Sequence, residues 1–228
     1  MIGPLRDERG TTLTEVLVGM AAGATILLAL TTMIIGSLHQ SGRVSARVDA
    51  TQRARLTLSK VMAELHSACL APQIAPVLQE SNGVELVFLH QAGKAAVLTP
   101  VKSKITLSNG VLKQADYAMT EGAAPKWSFA TTAFREEQLM SGVSPISPSS
   151  SIFSYYGYTG GQAAPIAIEP PLVEETAARV VQVNVAFTTA PGVTPIADKG
   201  GPASFQDSAL LRLTPTSYNK EVVSPPCQ

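Results

Sequence analysis

Charge, cysteine and aromatic side chains are all scarce in this chain. Of its 228 residues 15% are charged and 5% aromatic, with one tryptophan and two cysteines. The 17 basic and 17 acidic side chains cancel to zero formal charge, which removes bulk attraction to nucleic acid as a basis for function. The three histidines, His39, His66 and His90, match no zinc-binding spacing. His66 and Cys69 stand three apart, but no further Cys/His cluster adjoins them. Gly-Tyr-Thr-Gly-Gly at 157–161 lacks the lysine a phosphate loop needs. A Ser/His/Asp triad need not be close in sequence, so spacing leaves it open, yet no residues mark a catalytic centre. The chain therefore reads as non-enzymatic, with neither cofactor nor metal. Its two cysteines depend on compartment: a reducing interior keeps them as thiols, whereas export favours a Cys69–Cys227 bridge.

The charge deficit has a location. From Val16 to Leu38 there are 23 residues and no ionisable side chain. As a helix this run spans roughly 34 Å, enough for a hydrocarbon core of about 30 Å. Gly19, Gly23, Gly36 and several threonines dilute its hydrophobicity, as is tolerated where membrane helices pack together. One carboxylate, Glu15, stands at the edge of this run, behind a short leader carrying Arg6 and Arg9. A carboxylate beside lipid needs a partner or a route to water. The run exceeds the 7–15 apolar residues of a secretory signal, and no Ala-x-Ala-like site follows it. An uncleaved signal anchor is the plain alternative.

Arg-Gly-Thr-Thr-Leu-Thr-Glu-Val-Leu-Val, Arg9 to Val18, resembles the prepilin processing motif at the start of type IV pilins and of type II secretion pseudopilins. Thr11 and Thr14 depart from the apolar residues usual at those positions. The resemblance implies that a membrane peptidase cuts between Gly10 and Thr11 and methylates the new amine of Thr11. It implies that Glu15, fifth in the mature chain, pairs with the N-terminal amine of a neighbouring subunit during assembly. One buried charge pair would give register to an otherwise apolar bundle. Implied partners are other pilin or pseudopilin subunits, the prepilin peptidase/methylase, an inner-membrane assembly platform and membrane lipid. The implied location is the inner (cytoplasmic) membrane, single-pass, with leader inside and head outside, then the filament or cell surface after assembly. Arg6 and Arg9 favour a cytoplasmic leader, while Arg43, Arg47, Arg53 and Arg55 beyond the apolar run pull the other way.

The helical pattern continues past the membrane. Val44, Val48, Ala54, Leu58, Val61, Met62, Leu65 and Cys69 recur at spacings of three and four, predicting an apolar stripe for a sheet to cover. Pro72 sets the end near Leu70 or Ala71. Beyond Pro76 the period changes to two. Val84–Leu89, Ala95–Leu98, Lys104–Leu107 and Val111–Tyr117 read as strands, with Asn109-Gly110 as a hairpin turn. Residues 120–150 read as a long connection with one helical turn near 134–140. Ile152–Tyr156, Ala178–Thr188 and Ser208–Leu213 complete a sheet. Tyr155, Tyr156 and Tyr158 either form an exposed stacking patch or belong to the core, with Gly157 a bulge.

The expected fold is α+β and pilin-like, a long N-terminal helix, transmembrane in its first half, packed against a C-terminal antiparallel sheet. The expected division is a leader (1–10), a transmembrane half-helix (11–39), an amphipathic half-helix (40–71), a sheet head (72–214) and a tail (215–228). The expected function is a minor pilin-like subunit of a type IV pilus or pilus-like machine. The alternatives are a minor pseudopilin of type II secretion or DNA uptake, and a signal-anchored binding domain outside the cytoplasm.

Overall fold

The structure, a computed structural model, describes residues 12–68, 75–92, 99–123, 126–158, 164–190 and 202–211. One helix, α1 (Leu13–His66), runs unbroken for 54 residues, about 81 Å. No proline interrupts it. Its buried residues are Ala50, Ala54, Thr57, Leu58, Val61, Met62 and Leu65, spaced by threes and fours so that they share one face. Val44 and Val48, expected in this stripe, are 64% and 49% exposed. The head therefore begins to cover the helix only near Ala50. α1 also ends before the expected Leu70. Ser67 folds its amide and hydroxyl back onto the Glu64 carbonyl, and Ala68 already bridges to His90.

Ten strands follow. The first sheet holds β1 (Glu85–Ala92), β2 (Thr99–Ser108), β3 (Val111–Ala123), β4 (Lys126–Phe129) and β5 (Arg135–Ser141). Its order is β1-β2-β3, with β3 pairing β4 at one end and β5 at the other. The second sheet holds β6 (Val143–Ser144), β7 (Phe153–Gly157), β8 (Ile166–Ile168), β9 (Val180–Thr189) and β10 (Ala203–Leu210). Its order is β10-β9-β7-β8, with β6 beside the end of β9. Every pairing is antiparallel. The β2–β3 turn takes positive φ at both Asn109 (50°) and Gly110 (73°), the primed geometry that matches strand twist.

Leu58, Val61, Met62 and Leu65 from α1 share one core with Leu86 and Phe88 (β1), Ile105 (β2), Leu112 (β3), Met140 (β5), Phe153 and Tyr155 (β7), Val183, Val185 and Phe187 (β9) and Ala209 (β10). Both sheets thus close over one helix face. The architecture is a pilin-like α+β fold, a long N-terminal apolar helix packed against a C-terminal antiparallel β head.

Three expectations for the head need correction. Residues 120–150 are not a bare connection, because β4, β5 and β6 lie within them. The expected helical turn at 134–140 is strand β5, whose register against β3 from Val111 to Asp116 outweighs its local sequence. β10 starts at Ala203, five residues before the expected Ser208, because it pairs along β9 as far as Thr189. A short helix, α2 (Glu174–Ala178), was not expected; it follows the cis Pro170–Pro171 bond. The Ala95–Leu98 expectation lies outside the described residues.

Candidate membrane and assembly interface

From Thr12 to Ser45 every residue of the rod is exposed. The large apolar side chains Leu17, Met20, Ile26, Leu27, Leu28, Met33, Ile34 and Leu38 all project from bare helix. Among the described residues α1 is the one helix long and apolar enough to cross a membrane, and its most apolar window is wholly unburied. Exposing this surface to water would forfeit about 1.5–3 kcal/mol for each such side chain, so lipid or partner helices must cover it. Its polar side chains turn inward. Thr25, Thr31 and Thr32 each donate to a carbonyl one turn back (Ala22, Leu27 and Ala29, all 2.8 Å), satisfying their hydroxyls without water. At Gly19, Gly23 and Gly36 an added Cβ would meet nothing within 4 Å; this chain's own fold makes no use of their bare backbone.

Glu15 lies in the first turn of α1. Thr12 is the N-cap, so Thr12-Leu-Thr-Glu15 has the spacing of a reciprocal capping box. That box is not made. Thr12 makes no side-chain cap bond; its hydroxyl instead meets that of Thr14 at 3.1 Å. Glu15 has no ion pair or side-chain hydrogen bond among the described residues. Gly10, Thr11, Arg6, Arg9, Cys69 and Cys227 lie outside the described residues, as do the cleavage, methylation and bridging expected of them.

A second polar feature sits where α1 meets the first sheet, and the sequence did not announce it. Gln114 of β3 donates to Glu64 of α1 (2.7 Å) and to Asp116 (2.9 Å). Ser103 of β2 also donates to Asp116 (2.6 Å). Its single proton being spent there, Ser103 accepts from His90 Nε2 at 2.7 Å. Serine, histidine and aspartate therefore do meet, but the serine stands between the other two. A nucleophilic triad requires the histidine in the middle, taking the serine proton. All three are buried, and the chain of bonds ties β1, β2 and β3 to the helix. The amide oxygen of Gln114 is left buried without a partner among the described residues. The available signal was phase: Gln114 and Asp116 continue the inward alternation of Leu112.

Burial and the nearby Asp116 charge push the Glu64 carboxyl above its ordinary range. One turn earlier, Lys60 donates to Glu137 of β5 (2.7 Å). That bond, with Arg135 beside it, holds Glu137 below its ordinary range. No cluster of three or more His, Cys, Asp or Glu side chains suited to a metal occurs among the described residues. Of the tyrosines, Tyr155 is core: it is fully buried and donates to the carbonyls of Asn82 (2.8 Å) and Glu85 (3.2 Å). The β7–β9 register shifts between Tyr156 and Gly157, but the extra residue is Val181, so the bulge expected at Gly157 lies across from it on β9.

This is the architecture of the pilin-like class: an apolar half-helix left bare and a second half held in a β head. No family model matches the chain, and no curated protein matches its sequence.

Proposed function

We propose that the protein is a minor pilin-like structural subunit of a type IV pilus or pilus-like machine, assembled through the first half of α1. The observation that supports this reading is the division of one continuous helix. Its second half is held in the head, and every residue of its first, Thr12 to Ser45, is exposed. Such a surface fits two environments in turn, lipid before assembly and neighbouring helices after it. In this reading the subunit is made in the inner membrane with its head outside the cytoplasm, and the leader ending at Gly10 is removed by a prepilin peptidase. Methylated Thr11 then offers its amine to Glu15 of a neighbour. The role is structural and not catalytic.

Mass spectrometry of the protein purified from membranes tests this. The expected chain begins at N-methylated Thr11. An intact N-terminus, unchanged when the prepilin peptidase is removed, would leave a signal-anchored domain as the better reading.

A further inference from the structure

The first sheet has a second face, turned away from α1. Ile105 and Leu112 share the core with the helix, so alternation puts Lys104 and Thr106 of β2 on the far side, with Lys113, Ala115 and Tyr117 of β3. Glu136 and Gln138 of β5 pair with Ala115 and Lys113 and stand on that side too. Together these residues line a trough of about 400 Å³, within the size range of small-molecule sites. Ala115 forms its floor. It pairs with Lys104 on one side and Glu136 on the other, and its methyl is the smallest side chain of the set.

The trough is polar but balanced in charge. Its lining holds two lysines, Lys104 and Lys113, and two glutamates, Glu136 and Glu137. Lys104 is taken by Glu85 at 2.5 Å, and Glu137 by Lys60 at 2.7 Å. The side chains of Thr106, Lys113, Glu136 and Gln138 make no hydrogen bond or ion pair among the described residues. They offer a hydroxyl, an ammonium, a carboxylate and an amide, donors and acceptors together. Tyr117 closes one end. It falls between the stretch of β3 that pairs with β5, Val111–Asp116, and the stretch that pairs with β4, Met119–Ala123. The Lys102 ammonium lies 5.2 Å from the centre of its half-buried ring. Phe134 donates its amide to the carbonyl of Asp116, the residue before Tyr117, and is 60% exposed.

This chemistry selects a ligand. A peptide that adds a strand needs free backbone, and β3 is paired on both sides here. A polyanion gains nothing from a lining whose charges cancel. A neutral sugar chain carries hydroxyls that both donate and accept, and C–H faces that lie against an aromatic ring. We propose that this trough binds a neutral oligosaccharide, with one sugar ring against Tyr117 and its hydroxyls bonded to Thr106, Lys113, Glu136 and Gln138. The site lies wholly in the head and stands whether or not the chain is processed or assembled into a filament.

The full chain, in micelles of a phosphocholine detergent with no sugar headgroup to compete, is titrated with maltotetraose, cellotetraose and chitotetraose, and separately with acidic tetragalacturonate. Amide NMR shifts report where each binds. At millimolar concentration at least one neutral chain is expected to shift Thr106, Ala115, Tyr117 and Gln138, and to bind more tightly than the acidic chain. Tyr117→Ala should weaken that binding roughly fivefold, about the worth of one aromatic contact. Glu136→Ala/Gln138→Ala, at two exposed positions, should also weaken it and carries the test if Tyr117→Ala fails to fold. Ala115→Leu raises the floor without touching the core face and should abolish binding. No shift from any neutral chain, shifts confined to residues outside the trough, or binding unchanged in Ala115→Leu would overturn the proposal. Tighter binding of tetragalacturonate would overturn it as well, by making the trough a site for anions.

Discussion

The Gln114 side-chain amide reaches from the middle of β3 to the Glu64 carboxylate of α1 at 2.7 Å, one of the polar bonds that hold the helix over the first sheet. An ion pair, Lys60 with Glu137, lies one turn away, and Glu64 and Glu137 respond to acid in opposite directions.

Glu64 is held above its ordinary value of 4.5, chiefly by burial. The folded state then binds this proton more tightly than the unfolded chain does. Its contribution is complete below 4.5 and is lost as pH rises through the folded value. Glu137 is held below 4.5, chiefly by the Lys60 bond; its contribution is present above 4.5 and is lost as pH falls through the folded value. Stability should therefore rise from neutral pH into the mildly acid range and then fall. Thermal denaturation of the full chain in detergent across that range checks this. Glu64→Gln should flatten the neutral limb, and Lys60→Met should flatten the acid one. A profile that declines steadily on acidification would show that burial of Glu64 does not govern the neutral limb.

Leu65 is fully buried where the helix face meets both sheets. Leu65→Ala should cost about 2–5 kcal/mol through lost burial and the cavity left behind. Leu28→Ala, on the bare half of the same helix, should leave stability of the detergent-solubilised head nearly unchanged. Equal losses at the two positions would mean that the bare half packs on its own chain.

Gly157 marks a close approach. A Cβ there would stand 2.5 Å from the Arg179 carbonyl oxygen and 2.7 Å from Ile168 Cδ1. The oxygen belongs to backbone leading into β9 and has little room to move. Gly157→Ala should cost about 1–3 kcal/mol by overpacking. Tyr155→Phe, two residues earlier, should cost about 1 kcal/mol: the Asn82 carbonyl loses its bond at 2.8 Å, while the Glu85 carbonyl keeps one from the Asn82 backbone N–H at 2.7 Å. Denaturant midpoints of the two variants compare them directly, and the alanine should be the more damaging.

The long elements were legible because their side chains repeat a period. Val181, Val183, Val185 and Phe187 alternate with Gln182 and Asn184 along β9, and the structure buries the first set while half-exposing the second. Asn109-Gly110 names its own turn. β5 was not legible: Arg135-Glu-Glu has little strand preference, and only pairing with β3 extends it. The polar contact was hidden for a different reason. Glu64, Gln114, Ser103 and His90 converge from four elements, and no local pattern places them together. At the membrane end Glu15 stood out because charge is absent around it. That its capping box goes unmade is visible only in the geometry of Thr12 and Thr14.

That unmade cap leads to the last prediction. If Glu15 served only to begin the helix, Glu15→Gln would be the milder change, since the N3 side chain of a capping box is glutamate or glutamine alike. If it serves as a charge awaiting an amine, Glu15→Gln and Glu15→Ala should both fail to enter filaments, because the pair depends on charge. Both variants should still insert in the membrane, where removing a carboxylate from the edge of an apolar span lowers the cost. Shear fractions separate assembled from membrane-bound protein, and mass spectrometry of Thr11 in each variant shows whether processing has occurred. Loss of assembly with processing intact is the expected result. Normal filament incorporation of Glu15→Gln would leave the carboxylate's charge without a role in assembly.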